Sequence, residues 1–239
     1  MGNQNTLFQH GTGALIVPGI FNGTLKINDL LAHGDTGIGS GEGLDGELII
    51  NNGTPFLIQG DGMVKTLDNN FTVPFANAHF ADYSITHNTN INNYQSLGNA
   101  VFTTHRFKNI LFSVKLHGQF ESVKVRSVFK QSKPYPSLVE TAKSEKRFEA
   151  NHISGTLISY YYPDIFSKIA VGGFHSHFIS DNQRIGGHLM NFTGFKGDLG
   201  IQSFQSLTLE LPNDNDEYLN HDFSKDDIES AINQAERES

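Results

Sequence analysis

Apolar and polar residues alternate along most of this chain, and a period of two marks a half-buried strand. Residues 8–17 read as a first strand, stopped by Pro18-Gly19. Residues 47–51, 54–59 and 63–67 follow as a meander whose turns are Asn52-Gly53 and Gly60-Asp61-Gly62. Residues 75–81 are a further strand candidate. Residues 110–116 and 120–128 flank His117-Gly118 and read as a hairpin. On its second arm Val123, Val125 and Ser127 alternate with Lys124 and Arg126. Long strand regions cover 148–162, 169–180 and 188–195, and shorter ones at 199–201 and 207–211 continue the sheet.

Helical spacing is rarer. Residues 28–34 suit a short helix, with Asn28 able to cap its start and Gly34 its end. Residues 89–106 carry Ile91, Tyr94, Leu97, Val101 and Phe102 mostly three to four apart, which predicts a helix. Lys-Pro-Tyr-Pro at 133–136 stops a strand, and Pro136 can open a helix through Glu140 to Lys143. The same stretch is a natural boundary between a mixed-sheet lobe, residues 1–133, and a second sheet lobe, residues 134–239, that ends in a helix and tail. That last helix starts at a capping-box-like Ser224–Asp227 stretch and has Ile228, Ala231, Ile232 and Ala235 as its apolar stripe. Glu229 and Glu236 lie seven apart on it, near one face, and acids at a chain end are commonly solvated. The pattern predicts a strand-rich, mixed α/β fold with few helices.

Composition narrows the chemistry. The 239 residues suffice for a sizeable core, and 37% are hydrophobic, nineteen of them Phe. A net charge of −8 without a Lys/Arg-rich run argues against a nucleic-acid or anionic-membrane partner. There is no membrane-length apolar stretch and no basic segment leading into an apolar run near residue 1, so a soluble cytoplasmic protein is expected. With no cysteine, disulfides, thiolate metal sites and Cys nucleophiles are excluded. A metal must then sit on His and carboxylate, which suits zinc or another borderline first-row ion.

Three of the eleven histidines fall within 172–192, in the sequence GGFHSHFISDNQRIGGHLMNF. On a strand His175 and His177 share one face and Ser176 takes the other. Asp181, Asn182, Gly186 and Gly187 mark a turn, and a return strand from His188 brings a third imidazole beside the first two. Three neutral imidazoles with open positions make a catalytic rather than a structural metal site. A lone strand His is more often an ordinary core or surface residue, so support must come from elsewhere.

Other candidates stay open on pattern alone. Residues 34–44 carry five glycines but lack the Lys-Ser/Thr ending of a phosphate loop. They are expected to form a loop that lets backbone approach a ligand closely. Glu47, next to that run, is either a solvated strand end or an active-site carboxylate. Arg126, opposite the valines, is either solvent-exposed or aimed into a cleft, where its planar fork suits a carboxylate.

Taken together, QHGTGALIVPGIFNG at 9–23, HGDTGIG at 33–39, LDGELI at 44–49, VRSVFKQSKPYPSLVE at 125–140, GTLISYYYP at 155–163 and GFHSHFISDNQRIGGH at 173–188 resemble the α-acetolactate decarboxylase family. The order and spacing agree over nearly the whole chain. The resemblance implies two packed sheets with the metal between the lobes, and a homodimer formed by edge-strand pairing. It implies zinc on His175, His177 and His188, with a carboxylate near the C-terminus reaching the ion; Glu236 is the assignment and Glu229 the rival. Glu47 becomes the active-site carboxylate. Arg126 is the second cation of the family's VRxR stretch, the first being Lys124 here. Ser40, where relatives often have Thr, becomes a substrate contact beside Glu47 and Arg126. Ser176 replaces an apolar residue and should point away from the metal.

The implied activity is that of a carboxy-lyase, a carbon–carbon lyase, converting 2-acetolactate to (R)-acetoin and CO2 through a metal-stabilised enediolate. Arg126 would orient the carboxylate or the enediolate, and Glu47 would donate or shuttle the proton. Two rivals differ in class. A cupin-like metal dioxygenase or isomerase commonly has a Glu a few residues after its His pair, and no Glu lies between His177 and His188. A non-catalytic metal- or sugar-binding β protein would bind without turnover.

Overall fold

The computed structural model describes residues 5–104 and 106–237; the side chains of residues 104, 236 and 237 lie outside what is described. Its first half contains β1 Thr6–His10, α1 Gly13–Ile16, β2 Leu25–Lys26, α2 Ile27–Leu31, β3 Thr36–Gly41, β4 Asp45–Asn51, β5 Thr54–Ile58, β6 Val64–Thr66, β7 Thr72–Val73 and β8 Phe75–His79. Then come β9 Ser84–Asn93, α3 Tyr94–Thr104, β10 Phe112–Ser127, α4 Leu138–Ala142, β11 Lys146–Tyr162, β12 Gly173–Ser180, β13 Gly186–Ser203, β14 Ser206–Glu210, α5 Asp216–Asn220 and α6 Ile228–Arg237. None of the helices among the described residues is long and apolar enough to cross a membrane.

Seven strands make a mixed sheet in the order β14-β1-β8-β3-β4-β5-β6, with β1 and β14 parallel. The glycine run belongs to it: 36–41 are a buried central strand rather than a ligand loop. Neighbouring backbone makes the close approach at Gly37 and Gly39, and Gly39 and Ser40 also line a cleft. A Cβ at Gly37 would fall 2.1 Å from the Asn77 carbonyl oxygen, and one at Gly39 would fall 2.4 Å from that of Phe75.

The other strands curl on themselves. β10 pairs with both β11 and β13, and β12 pairs with the same two, so the four close a small barrel, with β9 added beside β13. The hairpin expected at His117-Gly118 is absent, because β10 runs straight through. Gly118 is opposite Gly155 on one side and Gly197 on the other. A Cβ at Gly118 would sit 2.4 Å from the Lys196 carbonyl oxygen, so a turn-like residue here serves close packing of a bent strand. The same curvature joins 188–195 and 199–201 into the single strand β13. Phe120, Phe178, Phe192 and Phe195 fill the barrel, with α3 contributing Leu97 and Val101.

Strand alternation sorts residues into three apolar layers. Leu48, Ile50 and Leu57 face α2 and the β2–β7 pair. Ile38, Ile49 and Ile58 face the barrel, where they meet Ile158, Tyr160 and Ile179 and the stripe Ile228, Ile232 and Ala235 of α6. Sheet and barrel draw on both halves of the sequence: β9 and β10 precede residue 134 yet belong to the barrel, and β14 follows it yet joins the sheet. Two shorter expectations shift. The apolar run after β1 forms the helical turn α1, capped by Thr12, and the helix expected over 89–106 starts only at Tyr94 because 84–93 pair with β13.

Polar groups in the shared layer are bonded across it. Tyr162 Oη donates to Gln9 Oε1 and accepts from Asn77 Nδ2, each over 2.6 Å. Tyr160 Oη donates to the Thr36 carbonyl, so it accepts from His79 Nδ1, 2.8 Å away. Burial, and secondarily Lys115, push His79 from its ordinary 6.5 down to about 3. The unfolded chain therefore takes up this proton below about pH 6.5 while the folded chain stays neutral until about pH 3. Stability must fall as pH falls through that window. Urea unfolding of the wild type and of His79→Gln should show a shallower pH dependence in the variant; equal slopes would refute the assignment.

Candidate active site

β12 presents His175, His177 and Ile179 to the layer between barrel and sheet, and turns Phe178 into the barrel. Ser176 also turns away: it donates to Ser159 Oγ (2.6 Å) and pairs with Tyr94 Oη (2.9 Å). The following turn is tied by Ser180 Oγ, which accepts from the backbone N–H of Arg184 and Ile185. The hairpin then sets His188 directly opposite His177. The three ring centroids are 5.0–5.7 Å apart, and one nitrogen from each ring lies within 4.8 Å of the others.

The sheet orients the deepest of these rings. His177 Nδ1 is 2.7 Å from the Leu48 carbonyl oxygen, which can only accept, so Nδ1 carries the hydrogen. Nε2 then faces Glu47 Oε2 at 3.2 Å. A lone pair facing a carboxylate oxygen at that range is repulsive unless a proton or a cation lies between them. Burial, and then Arg126, push His175 down to about 4. Burial, Arg126 and the other two imidazoles hold His188 well below its ordinary value. Both rings are therefore neutral at pH 7, with nitrogen lone pairs to offer. The three histidines can hold a metal ion, and an all-imidazole set with open positions suits a reactive one.

The cleft beside them is lined by Ser40, Glu47, Arg126, His175 and His188, and on its apolar sides by Ile16, Leu44, Phe75, Leu138 and Val171. Ser40 on β3 is the register partner of Glu47 on β4, so both side chains share the barrel-facing side. Arg126 pairs with His188 across β10 and β13 and is buried. Ala235 of α6 adds to the wall. The side chain of Glu236 is outside the described residues. Glu229 is exposed at a separate surface recess with Asp227 and Asn233.

Two participants were missed in the sequence. One is the Leu48 carbonyl, which no residue pattern reveals. The other is Glu145, whose side chain is 6% exposed and bonded to Arg126 Nη1 over 2.6 Å. Its only signal is that it is the single acid within Lys-Ser-Glu-Lys-Arg, residues 143–147.

A model of the alpha-acetolactate decarboxylase family matches residues 7–225. The chain belongs to the α-acetolactate decarboxylase family. The alpha-acetolactate decarboxylase of Brevibacillus brevis is 36% identical over 237 residues, covering 98% of this chain and 82% of that one. That of Methanosarcina mazei is 33% identical and covers 90% of this chain and 75% of its own. The crystal structure of alpha-acetolactate decarboxylase from Bacillus subtilis strain 168 superposes with a TM-score of 0.90 at 25% identity, covering 97% and 99% of the two chains. A Staphylococcus aureus protein described as similar to alpha-acetolactate decarboxylase gives 0.91 at 28%, covering 97% and 100%. The strand-rich α/β architecture is thus shared with solved members and relatives of the α-acetolactate decarboxylase family.

Replacing His177 with Ala removes a nitrogen that the sheet itself orients. The variant should bind a divalent first-row ion more weakly by more than the roughly 10–100-fold typical of losing an outer-shell partner. Competition with a chromophoric chelator measures this, and unchanged affinity would remove His177 from the site.

Proposed function

We propose that this protein is an acetolactate decarboxylase that converts 2-acetolactate to (R)-acetoin and CO2, with zinc held by His175, His177 and His188. The observation that carries the reading is the gathering of three imidazoles, Arg126 and Glu47 at one cleft in a chain that matches the family over residues 7–225. Glu236 is the proposed carboxylate ligand. It is favoured over Glu229 because its neighbour Ala235 lines the cleft, whereas Glu229 faces another surface.

The chemistry requires an electron sink. Losing CO2 from a 2-hydroxy-3-oxo acid leaves two electrons that must move into the neighbouring ketone, giving an enediolate. Bound zinc supplies a positive charge that stabilises the oxyanion developing there. Arg126 stays charged at any working pH and has a planar fork suited to the substrate carboxylate or to the enediolate that follows. Glu47, whose side chain is 14% exposed, holds and delivers the proton that completes acetoin. Delivery from this one wall accounts for a single enantiomer. Ser40, beside Glu47, offers a hydroxyl to the polar end of the substrate. The apolar wall of Phe75, Leu138 and Val171 suits the substrate's methyl groups and limits water. The same reading makes the protein a cytoplasmic homodimer joined through an edge strand, a role open to the largely exposed β9.

Purified protein given racemic 2-acetolactate should release CO2 and form (R)-acetoin, resolved by chiral gas chromatography. Arg126→Ala and Glu47→Ala should each keep the metal and lose roughly 10²–10³ in turnover, as expected when one charge-stabilising group is removed. Near wild-type turnover in either variant would overturn that residue's role, and absence of acetoin from the wild type would overturn the function.

A further inference from the structure

Arg126 is held in place by a buried ion pair. Its Nη1 donates to Glu145 Oε2 over 2.6 Å, and the other oxygen of that carboxylate accepts from Arg147 Nε over 2.8 Å. The side chains of Arg126 and Glu145 are 7% and 6% exposed, whereas that of Arg147 is 58% exposed.

Register explains the arrangement. On one side of Arg126 the β10–β13 ladder sets His188, and on the other the β10–β11 ladder sets Arg147. Two guanidinium groups on adjacent strands repel. Glu145 lies one residue before β11, where its N–H closes the end of α4 on the Ala142 carbonyl. From there its carboxylate reaches both cations.

Charge and geometry then act together. A guanidinium on three methylenes can point in many directions, and a short, desolvated bond at one nitrogen selects one of them. A carboxylate alone would also cancel the charge that an anionic substrate needs. Arg147 on the second oxygen prevents that, because two cations and one anion leave a net charge of +1.

We propose that Glu145 is a positioning residue for decarboxylation: it fixes the plane of Arg126 at the cleft, and Arg147 keeps the assembly positive. This rests on the proposed action of Arg126 on the substrate, and it adds a residue that does not line the cleft.

The test is a double-mutant cycle in the zinc-loaded protein. Glu145→Asp keeps the charge pairing and so should fold, but it draws the anchor back by one methylene. A misplacement of about 1 Å can cost on the order of 10²-fold, so kcat should fall about 10–100-fold. Metal content should not change. Glu145→Gln offers one acceptor oxygen where the carboxylate offers two and removes the counter-charge, so it should lose at least as much kcat as Glu145→Asp, and wild-type kcat in Glu145→Gln would likewise overturn the proposal. In the Arg126→Ala background, Glu145→Asp should cause no further loss, because the group it positions is gone. Wild-type kcat in Glu145→Asp, or losses that multiply with Arg126→Ala, would overturn the proposal. Unimpaired turnover in Arg126→Ala alone would instead overturn the role of Arg126 on which it rests.

Discussion

The site depends on one hydrogen bond that crosses between two layers: His177 Nδ1–H to the carbonyl of Leu48. It joins β12 of the barrel to β4 of the sheet. It fixes the tautomer of the ring, directs Nε2 to the site and brings that nitrogen beside Glu47, the residue preceding the acceptor. A backbone acceptor cannot move without moving its strand, so the imidazole inherits the rigidity of a sheet whose neighbouring residues, Leu48 and Ile49, are fully buried.

Everything else in the cleft follows from placing chemistry on alternating strands. The face that shows Ile49 to the barrel also shows Glu47, and the face that shows Ile179 to the sheet also shows His175 and His177. Polar function has thus been written into the layer that would otherwise be the widest apolar core. Burial there makes charging His175 and His188 costly, which keeps these two rings neutral and available as ligands, while the buried Arg126 reinforces the effect from β10. Arg126 is tolerated at such depth because Glu145 supplies its counter-charge at 2.6 Å.

Local periodicity made the strands around the site legible. The alternation of His175 and His177, the breakers Asp181 and Asn182, and the return at His188 pointed to three imidazoles together, since each step is fixed by geometry within a few residues. The Asn52-Gly53 turn was legible for the same reason, and both residues adopt positive φ. What pattern could not distinguish was glycine used for turning from glycine used for closeness. Gly118 looks like a hairpin tip and is a point where three strands meet; Gly37 and Gly39 look like a ligand loop and form the centre of a sheet. Those glycines answer to backbone from distant sequence. The same limit hid Glu145, whose partner Arg126 is nineteen residues away. It also blurred the start of α3, where pairing of 84–93 with β13 outweighs helical spacing.

Chemistry at this cleft requires the three rings to share one ion. X-ray absorption at the zinc edge of the protein as purified tests that most directly. The expected result is about one zinc per chain with a first shell containing three imidazole nitrogens at roughly 2.0–2.1 Å. A shell without imidazole, or no stoichiometric metal in protein that still releases CO2 from 2-acetolactate, would contradict it.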